Sequence, residues 1–367
     1  PRSRPAGAPL AMTKRTLPLL TILLLGALPA QAQLRSGASL NRLNRQLAGT
    51  LVDYTHNHGA DRRLYSPILG MPRDLYVYLP PGYNPCLAYP LVLYFHMGYI
   101  DEHALLGPGR IDELDRMIRC GVIPPMIVAA PDGVYTGENH FRHPHSLFIN
   151  GQGGRYEDHI IHEVLPFLMR CYSIRPEREA HGVLGASAGG LGAMDLALKH
   201  RDLFGAVATL AAPLNLRYAN CHGDYLEDFN PATYRWKTVY DPDEVIGIFY
   251  FGLRRVRARR YVEPVFGAGP AVADRITANN PADLLFATDL RPSELALYVN
   301  YPGRDNWNFD AQDESFVWLA GLKGIAVTRE CVPHGRHNLP YFRSNHGKAY
   351  LWLGQHLLPP APVAPSG

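Results

Sequence analysis

The sequence predicts an α/β fold, a mostly parallel central sheet flanked by helices, on three observations. Continuous apolar runs recur at residues 91–95, 126–130, 183–185, 206–210, 295–299 and 325–327, the pattern of strands buried on both faces. Between them lie segments with apolar residues at helical spacing, at 111–118, 157–169, 191–199 and 310–322, and helices alternating with buried strands cover both faces of such a sheet. The 367 residues are 47% hydrophobic, with 34 Gly and 32 Pro in no fixed period, enough for a large core joined by ordered turns.

In chain order, a polar, helix-tolerant stretch runs from Gln33 to about Gln46. Segments of strand character follow at 50–55, 63–66 and 74–79; short turns between them let them add antiparallel at one sheet edge. Pro80-Pro81-Gly82-Tyr83-Asn84 is a turn cluster. About eighty residues separate the run at 206–210 from the strand near Leu295. A compact connection is far shorter, so residues 214–289 are expected to be a helical insertion between the sixth and seventh strands. Within it, Arg254 to Arg260 reads as a basic helical stretch, either a solvated face or a cap whose arginines meet an anionic group. Residues 33–358 then make a single domain, and 359–367, rich in Pro and Ala, a flexible tail.

Residues 1–32 read as an upstream extension and a signal peptide. Lys14 and Arg15 precede an apolar stretch at 17–28, and Ala30-Gln31-Ala32 offers the small-x-small cleavage pattern. The stretch falls short of the roughly 20 residues that span a bilayer, and no Cys near the cleavage point invites lipidation, so no stable membrane anchor is expected. The chain is expected to be secreted or periplasmic. Its formal charge of +3 comes from this leader, which carries Arg2, Arg4, Lys14 and Arg15 and no acid. Without it 32 basic residues face 33 acidic ones, which excludes the whole-surface basicity of a nucleic-acid binder. Five cysteines, Cys86, Cys120, Cys171, Cys221 and Cys331, match no zinc or redox spacing; an oxidising compartment allows one or two bridges, in pairs the spacing does not define.

The chemistry centres on Gly185-Ala186-Ser187-Ala188-Gly189-Gly190, a Gly-x-Ser-x-Gly turn between a buried strand and a helix. A Cβ at Gly185 or Gly189 would collide with the neighbouring strand or helix, and the turn pushes Ser187 out at the C-terminal edge of the sheet. A serine hydroxyl needs a base to take its proton, and in this arrangement an acid and then a histidine follow on later strand ends. Asp305, in Gly303-Arg304-Asp305, and His337, in Pro333-His334-Gly335-Arg336-His337, stand there. Asp310 rivals Asp305 but reads better as a helix N-cap; His334 rivals His337; Asp132 precedes the serine and reads as a turn residue. Backbone amides of Ala188 and Met97 are the expected oxyanion donors, with His96 stabilising the loop of Met97. Trp307 and Phe309 can shape an acyl or aryl pocket, and residues 146–155 can line the cleft. The histidines at 56 and 58, at 140, 143 and 145, and at 159 and 162 complete no ligand set, so neither metal nor other cofactor is expected.

With these residues in place, the chain resembles the putative esterase branch of the α/β-hydrolases, with its S-formylglutathione hydrolases, feruloyl esterases, enterochelin esterases and secreted mycolyltransferases. The resemblance runs from about Leu64 to Leu357, through the segments at 77–83, 90–96, 156–167 and 185–190 and a late Gly-x-His. It implies an α/β-hydrolase fold and a secreted serine carboxylic-ester hydrolase that acts through an acyl-enzyme on a small-molecule or polysaccharide-linked ester. The sequence departs from the branch at Met97, where His-Gly is usual, and in the short spacing of Gly303 to Asp305. Two other readings use the same residues: an acyltransferase, and a noncatalytic exported binder of carbohydrate or siderophore.

Overall fold

The computed structural model describes residues 37–135, 145–250 and 252–363; the signal-peptide reading, His140, His143 and the last four residues of the tail lie outside them. Eight strands form the central sheet: β1 (Thr50–Tyr54), β2 (Leu75–Leu79), β3 (Leu91–Phe95), β4 (Ile127–Pro131), β5 (His181–Ala186), β6 (Ala206–Leu210), β7 (Ala296–Pro302) and β8 (Val327–Val332). Their spatial order is β1-β2-β4-β3-β5-β6-β7-β8. β1 and β2 run antiparallel to their neighbours, and all pairs from β4 onward are parallel.

Alternation along each strand divides the core in two. Leu91, Leu93 and Phe95 of β3 enter one layer, while Val92 and Tyr94 enter the other, as the two-residue period of a strand requires. The first layer is closed by α3 (Tyr156–His159, continuing through Ile160–Val164 and Leu165–Cys171) and α4 (Ala188–Lys199). The second is closed by α2 (Ile111–Arg119) and the C-terminal helix Leu339–His356. The middle of α3, Ile160–Val164, is wound as a π-helix. An N-terminal helix, α1 (Gly37–Gln46), precedes the sheet.

The segment between β6 and β7 carries helices α5 (Arg259–Phe266), α6 (Val272–Thr277) and α7 (Pro281–Ala287), and also two antiparallel ribbons, Tyr218–Ala219 with Arg235–Trp236 and Val245–Phe249 with Arg254–Arg257. The arginine stretch is therefore half strand: Arg254–Arg257 pairs with the apolar run before it, and the helix starts at Arg259. A tight turn at Gly252 (φ 90°) folds the chain back on itself here, a local pairing that a helical reading of the charges alone overlooks. The remaining helices, α8 (Phe309–Leu322) and α9 (Leu339–His356), follow β7 and β8. Cys86, Cys120, Cys171, Cys221 and Cys331 are all free thiols at the surface.

At the centre, α4 approaches the sheet with no side chain between. A Cβ on Gly185 would lie 2.2 Å from the Gly189 carbonyl oxygen, and one on Gly189 would lie 2.4 Å from the carbonyl oxygens of Phe95 and His96. Backbone cannot yield as a flexible side chain does, so overpacking here is expected to be costly. Gly189→Ala should destabilise the protein by about 3 kcal/mol or more in urea unfolding. Gly321→Ala, inside α8 with open space where its Cβ would stand, should be neutral or stabilising by up to about 1 kcal/mol; equal losses at both positions would contradict this packing.

Candidate active site

Ser187 joins β5 to α4 with φ 51° and ψ −121°, a conformation costly for a residue with a side chain and held here by its surroundings. Its amide donates to the Leu210 carbonyl at 2.8 Å, and its carbonyl accepts from Gly190 at 2.8 Å. Between these anchors the hydroxyl stands clear of the sheet edge. Ala188 is the first residue of α4, so its amide has no carbonyl one turn back within the helix. A Cβ placed on Gly98 would lie 3.7 Å from Ala188 Cβ, and Met97, Gly98, Ser187 and Ala188 line one cleft.

Ser187 Oγ lies 2.9 Å from His337 Nε2, and His337 Nδ1 lies 2.8 Å from Asp305 Oδ2. The loop after β8 brings the imidazole here, and it is fixed from the far side by the start of α9. Asn338 caps that helix, its side chain accepting from the Tyr341 amide at 3.1 Å, with Pro340 in the first turn where its missing N–H costs nothing. Phe309 and Phe342 meet the imidazole edge to face, at centroid distances of 5.4 and 5.1 Å. His334 stands exposed in the preceding turn and does not take part.

The Asp305 side chain is buried, and its Oδ1 accepts from the Trp307 amide at 2.8 Å. Asp310 differs from its reading as a cap. The residue before α8 is Asn308, in the left-handed region at φ 57°, and the Asp310 carboxylate instead accepts from the Asp305 amide at 3.4 Å. Burial and then the neighbouring Asp305 charge push Asp310 up to about 6, so near neutrality it is held in its ionised form less firmly than a free aspartate.

The loop carrying Asp305 is tied to the insertion on two sides. Asn306 exchanges two hydrogen bonds with Ile248: its carbonyl accepts from the Ile248 amide at 2.9 Å, and its side-chain amide donates to the Ile248 carbonyl at 3.1 Å. Asn308 donates to the carbonyls of Tyr225 and Glu227 at 2.6 and 3.1 Å, while Tyr225 Oη donates to the Trp307 carbonyl at 2.5 Å. The Trp307 ring packs flat against Gly247, where a Cβ would lie 2.7 Å away. Reading each segment separately missed this latch; Asn at 306 and 308, two short amides flanking a tryptophan, was the available signal.

The loop after β3 is positioned by a buried polar cluster. His96 Nε2 accepts from the Gly133 amide at 2.9 Å, and Nδ1 donates to the Met97 carbonyl at 3.0 Å. Asp132 is fully buried: its Oδ1 accepts from Val134, and its Oδ2 pairs with Arg73 at 2.8 Å. One Arg73 nitrogen also donates to the carbonyls of Asp132 and Val134. Burial opposes the Asp132 charge, but the Arg73 guanidinium and the Val134 amide outweigh it and hold the carboxyl below its ordinary range. His159 is likewise engaged, with Glu163 at 2.6 Å. Among the described residues the one grouping with metal-ligand spacing is Asp101, Glu102 and His103. There burial, which favours the neutral ring, is outweighed by the hydrogen bonds to Asp101 and Glu102, which raise His103 to about 10, while burial and then the Asp101 charge push Glu102 up to about 8.

The cleft above Ser187 holds about 1390 Å³. The catalytic-edge loops form one side, and the insertion forms the other through Ile246, Tyr261, Val262 and Phe266. Trp307 stands between them, edge-on to Phe249 and Tyr261 at 4.9 and 5.1 Å and nearly parallel to Phe309 at 6.2 Å. Lys237 and Glu244 pair within the wall; burial pushes the lysine down and the glutamate up, so the wall is less polar than its composition suggests. From the loop at 146–155, Leu147 reaches the cleft.

This strand order, with a serine on the turn after the fifth strand, defines an α/β-hydrolase. The sequence model described as "Putative esterase" matches residues 66–262, more than half of the chain, and the chain belongs to that family: it is a serine esterase. Solved structures with the same fold include a ferulic acid esterase (17% identity, 84% of this chain and 98% of that one, TM-score 0.61). An S-formylglutathione hydrolase from Agrobacterium tumefaciens is similar at 14% identity, over 85% of this chain and 97% of that one, with TM-score 0.60. The fluorophosphonate-binding serine hydrolase F of Staphylococcus aureus matches at 17%, over 83% and 98%, with TM-score 0.56. Among the described residues no helix is long and apolar enough to cross a membrane.

Removing the Arg73 charge should expose how far the site leans on the cluster. Arg73→Met leaves Asp132 buried and unpaired and is expected to cost about 3–5 kcal/mol in denaturant unfolding at neutral pH. Because the Asp132 pKa is depressed in the folded state, the stability it brings is present above about pH 4 and lost as pH falls below that. The gap between the two proteins should therefore close on acidification; a gap independent of pH would show that the pair contributes no electrostatic stability.

Proposed function

We propose that the chain hydrolyses carboxylic esters through Ser187, His337 and Asp305. The observation that carries this reading is the continuous hydrogen-bonded line from Ser187 Oγ to His337 Nε2 and from His337 Nδ1 to Asp305 Oδ2, at 2.9 and 2.8 Å. Ser187 Oγ attacks the ester carbonyl carbon while His337 Nε2 takes its proton, and Asp305 accepts from Nδ1–H and steadies the imidazolium. The amides of Met97 and Ala188 receive the negative charge that develops on the carbonyl oxygen. Collapse breaks the bond to the leaving alkoxide, which takes the proton from His337, and an acyl-serine remains. Water then gives its proton to His337, attacks the acyl carbon, and the acid departs as the proton returns to Ser187.

The cleft supports an ester with a bulky apolar or aryl acyl group, seated against Trp307, rather than a short acyl chain in a narrow slot. That is the kind of compound named for the ferulic acid esterase, here extended to this chain as a proposal. Export is proposed on the sequence pattern of residues 12–32; N-terminal sequencing of protein recovered outside the cytoplasm should begin at Gln33, and an intact Met12 start would refute it.

A panel of nitrophenyl esters from acetyl to long-chain and aryl acyl groups tests the chemistry. Ser187→Ala should lose about five to six orders of magnitude in kcat and all labelling by a fluorophosphonate, while Asp305→Asn should lose about four. Trp307→Ala should raise KM about tenfold for the bulky acyl groups with little change for acetyl. Full hydrolysis by folded Ser187→Ala would sink the mechanism.

A further inference from the structure

Among the described residues the four most exposed large apolar side chains are Leu253 (90%), Val239 (75%), Tyr250 (69%) and Leu339 (67%). They fall in two places. Val239 and Leu339 line the cleft, and Tyr250 and Leu253 sit in the turn of the ribbon Val245–Phe249 and Arg254–Arg257, whose base carries Ile246 into the same cleft wall. Tyr250 and Leu253 share one turn, and neighbouring exposed apolar groups mark a contact surface where single ones do not.

The ribbon is built to hold that turn out into solvent. Close to the turn, the ribbon is bolted to the Asp305 loop by the Asn306 and Ile248 hydrogen bonds and by Trp307 against Gly247 and Phe249. At the turn, the amides of Gly252 and Leu253 donate to the carbonyls of Phe249 and Tyr250, so the backbone there can leave water without stranding these donors.

Beyond the turn, Arg254 and Arg255 stand on opposite faces of the ribbon, followed by Arg257, Arg259 and Arg260, all exposed. Arg257 and Arg259 share Asp243. Arg254, Arg255 and Arg260 make no ion pair among the described residues, and Arg260 reaches the cleft. The sequence beyond the leader is near neutral, so this is a local concentration of positive charge and not a general basicity.

We propose that this face docks reversibly on an anionic lipid surface, with the Tyr250 and Leu253 turn entering the headgroup boundary and the arginines at the phosphates. An apolar tip backed by guanidinium groups suits such an interface: the tip gains by leaving water, and each cation near an anionic surface adds attraction. A soluble polyanion would use the arginines and leave the apolar turn without a role. The docked cleft mouth, rimmed by Val239 and Leu339, faces the bilayer, so an ester with a lipid-like acyl chain passes into the cleft without crossing water. That last consequence rests on the esterase reading; the docking itself does not.

The test is co-sedimentation of the full chain with phosphatidylglycerol and with phosphatidylcholine vesicles. Binding is expected to phosphatidylglycerol, to weaken on raising salt, and to be the same for Ser187→Ala, which separates docking from catalysis. Arg254→Glu with Arg255→Glu, and separately Tyr250→Ser with Leu253→Asp, should each weaken vesicle binding by about tenfold or more, while hydrolysis of a water-soluble acetyl ester stays unchanged and reports an intact fold. No binding to phosphatidylglycerol, or binding by both double variants as strong as that of the unmodified chain, would overturn the proposal. Binding lost only with the arginines and competed fully by heparin would overturn it in favour of a soluble polyanion.

Discussion

Everything at the sheet edge depends on how closely α4 lies against β3 and β5. Gly185 and Gly189 leave no room for a side chain between helix and strands, and that contact forces the chain through the unfavourable backbone angles at Ser187. A looser approach would let the turn relax and lower the hydroxyl into the sheet. The strain is local, but its support is distributed: β6 holds the Ser187 amide, and the β3 carbonyls confront Gly189 directly.

Three loops from distant parts of the chain then meet at this turn, each held by a different device. The imidazole loop is held by a capped helix, the carboxylate loop by its own asparagine amides donating to carbonyls of the insertion, and the loop of Met97 by His96 and the buried ion pair below it. The contacts between Ser187, His337 and Asp305 are few, and the contacts that place them are many. The cleft that this assembly faces is mostly apolar, and in its wall burial moves the half-buried Lys237 and Glu244 toward their neutral forms.

Much of the fold was legible because its signals are local or periodic. Buried parallel strands show as unbroken apolar runs, and the Gly-x-Ser-x-Gly turn combines composition with position. Asp305 and His337 could be named from strand order alone, because each lies just after a strand end. The ribbon at 245–257 was not legible: five arginines in seven residues look like a solvated helix, and only pairing with the preceding apolar run makes them a strand. Asp310 was misplaced for a related reason. Helix capping is read from the few residues around a boundary, whereas its carboxylate is engaged by the Asp305 amide, so Asn308 begins the helix in its place. The burial of Asp132 beneath Arg73 depends on two segments far apart in sequence and leaves no trace in either.

The hydrogen bonds from Asn306 and Asn308 to the insertion carry a consequence for how this scaffold can diversify. The segment that forms one wall of the cleft is also the splint for the Asp305 and His337 pair, so the two cannot be exchanged as independent modules. Grafting another relative's insertion onto this sheet would reshape the wall and unseat the carboxylate in one stroke. Changes of substrate range should therefore arrive with changes of turnover, and a lineage that altered the first would need compensating mutations at 306 and 308 to keep the second.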